Sequence, residues 1–314
     1  MPIAIRLLRR VAAIDVPNLR SSHKIPTPRG GGAPIAIGLV ISALLLHNLI
    51  AVAFAVGVGA FGAIGLADDL LGLPAARRLA MQSVIAYAIA AVLVHRLVLL
   101  PIEATVMAVV IAVWLIGFVN AFNFMDGVNG ISAAHALLAG AAYALLGAWH
   151  LDRFLLTAGS AIAACALAFL PWNAFRARVF LGDVGSYALG LALALLAAFA
   201  VIHRIPLEAA GAPLALYLAD TAWTLQRRIR AGEPWLEAHR MHTYQRLCDL
   251  GWSHQRVTAF TSGVTVLLCL LGAASLTGHP ALRGAADVAA LGVLAGYLRS
   301  PALLRGRDML ATAS

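Results

Sequence analysis

Ten long apolar runs joined by short polar connections set the tightest limit on what this chain can fold into. They cover 33–47, 50–67, 79–94, 104–119, 131–149, 154–170, 185–202, 206–223, 257–276 and 285–298, just over half of the 314 residues. A membrane-spanning helix needs about 20 largely apolar residues, within a range of about 17–25. The shorter runs reach that length by extending into their polar neighbours. A soluble bundle this apolar would need polar outer faces, whereas these runs are apolar all round, which points to lipid. The chain is 61% hydrophobic and 12% charged, against roughly half and about a quarter in a soluble domain. The expected fold is all-α, a single polytopic membrane domain over 1–314 with about ten transmembrane helices.

The connections alternate in charge. One set comprises 1–32, 68–78, 120–130, 171–184, 224–256 and 299–314, and it carries 19 of the 23 lysines and arginines. The other set holds only Arg96, Arg153, Arg204 and Arg283. The positive-inside rule puts the first set in the cytoplasm, with 1–32 as an N-terminal loop and 224–256 as a long cytoplasmic loop. This asymmetry accounts for most of the net charge of +9 without a nucleic-acid partner. Cys165, Cys248 and Cys269 have no paired spacing, so neither a disulfide framework nor a thiolate metal site is indicated. The first fourteen residues lack the apolar core and small-residue cleavage site of a signal peptide.

Two apparent nucleotide signatures fail on context. A G-x-G-x-x-G at Gly57, Gly59 and Gly62 lies inside an apolar run, with Asp68 only six residues on. The dinucleotide reading needs a strand before it and an acid about 20 residues later, so close helix packing through small residues explains it better. Lys24 is the chain's one lysine and is not in a P-loop context.

The large polar clusters all fall in the basic connections. Arg20 to Gly32 combines Arg20, His23, Lys24 and Arg29 with two prolines and three glycines. It reads equally as an anion cradle with exposed backbone amides or as a basic juxtamembrane loop. Asp68-Asp69 ends a span. Adjacent carboxylates repel unless a cation or proton relieves them, the alternative being a solvated helix cap. Asn120, Asn123 and Asp126 are spaced by three, which stacks three oxygen-bearing side chains on one helical face. Asp183 follows Phe180 and is flanked by Gly182 and Gly185, which let a ligand approach the backbone. The long loop carries His239, Arg240, His242, Tyr244 and Arg246. Oxygen ligands such as Asp68, Asp69, Asn123, Asp126 and Asp183 suit Mg²⁺, which usually binds substrate phosphates as well. Facing histidines and arginines suit phosphate charge, and together they suggest phosphoryl transfer.

From about Asp15 to Arg246 the chain resembles the polyprenyl-phosphate N-acetylhexosamine-1-phosphate transferase family, particularly the bacterial members that start O-antigen and related lipid-linked glycans. The resemblance rests on V-P-N-x-R-S-S-H with P-T-P-R-G-G, then D-D, N-x-x-N-x-x-D-G, F-L-G-D-x-G-S, Asp220-Thr221 and a histidine loop, in that order. It implies transfer of a sugar 1-phosphate from a UDP-N-acetylhexosamine to undecaprenyl phosphate, releasing UMP, at the bacterial inner membrane. By the same resemblance Asp183 and Asn123 hold Mg²⁺, with Mn²⁺ as a substitute. Phe180 stacks on the uracil and Asn129 contacts the base. Asp68 and Asp69 position or deprotonate the lipid phosphate, with Asp126 beside them. His242, Arg240 and Arg246 neutralise the diphosphate, and Asn120, His239, Lys24 and Arg29 complete the substrate set. A homodimer is compatible with such a fold.

Three departures stand out. Asn129 replaces an aspartate of many bacterial relatives, as in eukaryotic ones, and can still hydrogen-bond a base. His239 and His242 replace a denser histidine cluster. The family has another span before the first motif, where residues 1–14 are too short and basic to cross; either the start is late or this is an interfacial amphipathic helix. The competing reading is a multi-pass transporter of an anionic solute, which expects ionisable residues at mid-membrane and an internal repeat. His47, His95, His150, His203 and His279 read as interfacial, His135 as a span residue near the active face, and Asp220 as functional or arginine-paired.

Overall fold

The apolar runs fold as helices that pack side by side, and the polar clusters gather at one end of them. The computed structural model describes residues 1–10, 14–15, 26–95, 97, 99–233 and 240–312, with 9, 10 and 306–312 described in backbone only. The helices are α1 (Pro2–Arg10), α2 (Ala33–Leu44), α3 (Leu49–Leu71), α4 (Ala75–Val94), α5 (Pro101–Met125), α6 (Ile131–Trp149), α7 (Arg153–Asn173), α8 (Gly182–Ile202), α9 (Leu207–Gly211), α10 (Ala215–Arg230), α11 (Thr243–Asp249), α12 (His254–Ala273) and α13 (Pro280–Thr312). Strands β1 (Ile14–Asp15) and β2 (Thr27–Pro28) pair antiparallel, Ile14 opposite Pro28.

Eight helices among the described residues are long and apolar enough to cross a membrane: α3 to α8, α12 with its 3₁₀ extension, and α13. Two of the ten expected spans differ. The 33–47 run forms only the twelve-residue α2, about 18 Å long at 1.5 Å per residue, shorter than a hydrocarbon core of about 30 Å. The 206–223 run is broken into α9, a 3₁₀ turn at Ala212–Leu214, and α10. Pro213 has no amide to donate, and its ring crowds the preceding turn. Beyond the break, α10 is amphipathic, burying Leu216, Tyr217 and Asp220 and ending in Arg227, Arg228 and Arg230.

Helix α8 is the axis of the bundle, with 83% of its apolar window buried, chiefly against α3 and α5. That is the environment its sequence demands, because every face of it is apolar. Of the three glycines read as packing residues, Gly57 abuts Ile89 and Leu191, and Gly62 meets Ala36 and Ala188. The tightest approach on α3 is one turn further on: a Cβ on Gly65 would overlap the backbone carbonyl of Asp183. This contact sets the height of Asp183 relative to the end of α3. Helix α1 lies on the bundle with Ile5 and Leu8 packed inward and Ile3 and Leu7 exposed.

Candidate active site

Asp68 and Asp69 occupy the last turn of α3, where the helix dipole disfavours a negative charge. Each is relieved differently. Asp68 accepts from Arg78 Nη1 at 2.5 Å, Tyr187 OH at 3.1 Å and the Leu73 amide at 2.9 Å. Asp69 reaches across to the first turn of α8, accepting from the amides of Asp183 at 2.9 Å and Val184 at 3.0 Å. Those amides have no partner within their own helix, and the dipole of α8 favours an anion there. The carboxylate that α3 tolerates poorly thus serves as the cap of α8. Gly182 makes this reach possible: its φ is +74°, and a Cβ there would lie 2.6 Å from Asp69 Oδ2.

Arg29 ties the two acids together, with Nε 2.6 Å from Asp69 Oδ1 and Nη2 2.8 Å from Asp183 Oδ1. Its segment lies along the F-L-G-D loop as a short parallel bridge to Phe180. Backbone bonds of 2.8 Å join Phe180 N to Pro28 O, Gly31 N to Phe180 O, and Gly32 N to Leu181 O. The paired carboxylates raise the Arg29 pKa further, although burial opposes it. Asn123, on the last turn of α5, donates Nδ2 to Asp183 Oδ1 at 2.8 Å and to Ser186 Oγ at 2.9 Å.

The expected ligands Asp68, Asp69, Asp183 and Asn123 are therefore brought to one place. Asp183 has a side chain 13% exposed, against 1% for Asp69 and 5% for Asp68. Three carboxylates face two guanidiniums, leaving one unbalanced negative charge. Among the described residues no three His, Cys, Asp or Glu side chains form a ready metal cage. A hard cation held by one or two protein oxygens together with substrate phosphates does not require one. The donor set fits Mg²⁺ on those terms, with Asp183 and Asn123 as the accessible pair.

Asp126 follows the end of α5, and burial pushes its carboxyl up to about 6, Arg29 pulling the other way and Asp69 adding to the rise. Helix α11 docks on this loop through Tyr244, whose hydroxyl donates to Phe124 O at 3.0 Å. His242 caps α11, its own amide donating to Gln245 Oε1 at 3.1 Å, and is almost fully buried. Its ring centroid lies 6.2 Å from Phe124 and 5.8 Å from Tyr244. Arg246 sits one turn along α11, its pKa lowered by burial and by the like charges of Arg227 and Arg305. Arg240 pairs with Asp249 at 3.0 Å. Asn129 gives its backbone to the site's frame, its amide to His254 Nδ1 at 3.3 Å and its carbonyl to Thr258 at 3.0 Å.

Some expected residues lie apart from this cluster. Asn120 donates to Gln82 on α4 at 3.1 Å and to its own helix at 2.8 Å, within a helix contact rather than with the carboxylates. Lys24 and His239 fall outside the described residues. His135 is buried against Tyr217, ring centroids 3.7 Å apart, and takes no part in the carboxylate cluster. Two residues were not singled out in the sequence. Arg78 counted there only as topological charge. Asn173, at the end of α7, accepts from the Gly130 amide at 2.7 Å and donates to Val179 O at 3.1 Å, joining the N-x-x-N-x-x-D-G and F-L-G-D loops. No motif marks it.

A bundle of apolar helices with acids, amides and guanidiniums converging at one end is a multi-pass membrane enzyme of the phospho-sugar transferase type. The chain belongs to glycosyl transferase family 4, whose model matches residues 50–201. It is 30% identical to the decaprenyl-phosphate N-acetylglucosaminephosphotransferase of Mycobacterium tuberculosis (strain H37Rv), over 96% of this chain and 85% of that one. A probable undecaprenyl-phosphate N-acetylglucosaminyl 1-phosphate transferase of Bacillus subtilis is 27% identical, over 81% and 75%. The phospho-N-acetylmuramoyl-pentapeptide-transferase of Symbiobacterium thermophilum is 30% identical, over 90% and 93%. Family membership decides against the transporter reading.

Proposed function

We propose that the protein transfers an N-acetylhexosamine 1-phosphate from its UDP-sugar to undecaprenyl phosphate, giving undecaprenyl-diphospho-HexNAc and UMP. This is the first membrane step of O-antigen or other cell-envelope glycan synthesis, at the cytoplasmic face of the bacterial inner membrane. The observation that carries the reading is the Asp68–Asp69–Asp183–Asn123 cluster, with Arg29 and Arg78 paired to it, at the end of the bundle where the basic connections meet. Relatives named for N-acetylglucosamine transfer favour UDP-GlcNAc among the candidate donors.

Asp183 and Asn123 would hold Mg²⁺ or Mn²⁺, which when bound neutralises charge on the diphosphate of the donor. Phe180, beside the Arg29 bridge, stacks on the uracil, and Asn129 contacts it. Arg78, about a third exposed, and Arg29 draw the phosphate of the lipid acceptor to the carboxylate cluster. A phosphate monoester has its second pKa near 6, so the acceptor is largely ionised at neutral pH. Asp68 then orients rather than deprotonates it, and attack on the β-phosphorus is direct and in line. His242 and Arg246 stabilise charge on the departing UMP. The test is to incubate purified protein with Mg²⁺, undecaprenyl phosphate and a panel of UDP-sugars and to measure UMP. Release with a UDP-N-acetylhexosamine, abolished by EDTA, is expected. A folded preparation releasing no UMP from any UDP-sugar overturns the reading.

A further inference from the structure

We infer that a cavity at the end of the bundle opposite the carboxylate cluster holds one acyl chain of an anionic phospholipid, whose phosphate sits among the arginines at its rim. The cavity has a volume of about 480 Å³ and lies between four helix ends. Leu49 and Ile50 line it from the start of α3, Leu93 from the end of α4, Phe154 from the start of α7, and Phe199 and Ile202 from the end of α8. Helix α8 runs from Gly182 to Ile202, about 30 Å at 1.5 Å per residue. The cavity is therefore a hydrocarbon core's thickness away from Asp183.

The wall suits hydrocarbon. Its two polar side chains are engaged within their own elements: Asn48 Oδ1 caps α3 on the Ala51 amide at 2.9 Å, and His203 Nδ1 donates to Phe199 O at 2.9 Å with its ring stacked on Phe199, centroids 3.8 Å apart. An apolar cavity of this kind disfavours water, and its size is that of a ligand site, about 300–1,000 Å³. The rim differs in character. Of the four arginines in the sparsely basic connections, three are chain neighbours of a lining residue: Arg96 of Leu97, Arg153 of Phe154 and Arg204 of His203. Arg96 lies outside the described residues. Arg153 and Arg204 are exposed and pair with no acid among the described residues, and the nearby Asp152 is committed to capping α7. Backbone strain gathers at the same place. The non-glycine residues of positive φ among those described are His47 at +50°, Leu151 at +55° and Arg204 at +65°, each within three residues of a lining residue. Glycine is the usual choice for such a turn after a helix, and strained backbone collects at ligand sites; at Arg204 it keeps a cation on the rim. Basic residues beside a pocket between membrane helices recognise acidic headgroups, by charge-assisted bonds to phosphate. A hydrocarbon cavity under a cationic rim thus describes a phospholipid, and the rim's positive charge selects a negative headgroup.

The site lies far from the reaction and is independent of the proposed function, so the test reads lipid contact rather than turnover. The full chain is placed in nanodiscs carrying phosphatidylglycerol or phosphatidylcholine with a diazirine on one acyl chain, and photolabelled residues are mapped by mass spectrometry. Labelling of Leu93 and of the Phe199–His203 segment should be about fivefold or more stronger from phosphatidylglycerol, the scale of one arginine near a charged surface. Val109, Val110 and Val113, exposed on α5, should be labelled equally by the two lipids. The Arg153→Gln/Arg204→Gln variant should lose the preference at the cavity, and Ile202→Trp, which fills the cavity, should lose the label on Leu93. Excess glycerol phosphate should leave the cavity label in place; displacement would assign the rim to a soluble phosphate and overturn the lipid. Equal labelling of the wild-type cavity by both lipids, a preference that survives the arginine variant, or undiminished labelling in Ile202→Trp would each overturn the inference. If Ile202→Trp does not fold, the arginine variant, altered only at exposed positions, decides alone.

Discussion

Asp69 and Asp220 solve the same problem in two different media. Both are buried carboxylates that cross from one helix to satisfy amides at the start of another, α8 and α11 respectively. Each fixes a functional side chain beside that amide, Asp183 in one case and His242 in the other. Asp69 spreads its oxygens over two successive amides and is neutralised by Arg29, which it shares with Asp183. Among the described residues Asp220 is bonded to no arginine or lysine, only to a single amide, two hydroxyls and an imidazole. The first region is built from ion pairs at a partly exposed surface, suited to exchanging one cationic partner for another. The second is built from hydrogen bonds among fully buried side chains.

The largest effect should come from the residue that Asp69 holds. Asp183→Asn keeps an oxygen for Arg29 and Asn123 but loses the charge that the divalent ion requires. Turnover should fall about a thousandfold or more, the scale of a lost electrostatic stabiliser, with insertion and melting temperature near wild type. Wild-type turnover in this variant would remove Asp183 from the reaction and leave the Asp69 cap without its functional purpose.

Asp69→Asn separates a cap from a catalyst. The amide nitrogen of asparagine would face a backbone N–H of Asp183 or Val184, donor against donor, and Arg29 would lose one of its two charged partners. Breaking such a buried charged contact costs about 3–5 kcal/mol, so the melting temperature and the activity should fall together. If activity vanishes while the thermal melt is unchanged, Asp69 acts on the substrate directly and the likeness to Asp220 is broken.

Gly65→Ala tests the same region without touching a charge. The added methyl would overlap the Asp183 carbonyl, so α3 and α8 must separate, at a cost of about 1–3 kcal/mol for overpacking. Turnover should drop more than stability alone explains, because Asp183 is displaced from Asn123. An unaltered melt and unaltered turnover would show that this contact does not set the height of Asp183.

The spans and the convergence of polar loops were legible in the sequence because both follow from one-dimensional regularities, apolar run length and alternating loop charge. Those patterns brought Asp68, Asp69, Asn123, Asp126 and Asp183 to one end before any coordinates. They could not separate Asp68 from Asp69. Which acid reaches the amides of α8 depends on helix phase and on the close approach at Gly65, more than a hundred residues from Asp183 in the chain. Arg78 was hidden for the opposite reason: Arg77 and Arg78 after a span are what topology already requires, so nothing marked Arg78 as a partner of Asp68. Asp220 was noticed for being charged in an apolar run, yet its partners proved to be hydrogen-bond donors rather than an arginine. The break at Pro213 was visible as a residue but overruled by the hydrophobicity around it.

The smallest effect lies between the two regions, at Asp126, and its value is in its sign. The carboxyl is pushed up to about 6 by burial, so between about pH 4 and 6 the folded state holds a proton that the unfolded state has released. Stability from this group is therefore greatest below pH 4 and declines as pH rises through 6. A carboxylate held below its usual pKa by an arginine behaves oppositely, losing stability as pH falls. Allowing for partial exposure, the expected contribution is about 1 kcal/mol. Thermal melts of Asp126→Asn and wild type in the same detergent should favour the variant at both pH values, by less at pH 5 than at pH 7.5. A larger advantage for the variant at pH 5 than at pH 7.5 would mean that Arg29 holds Asp126 ionised and that the ion-paired region extends to the α5 end of the site.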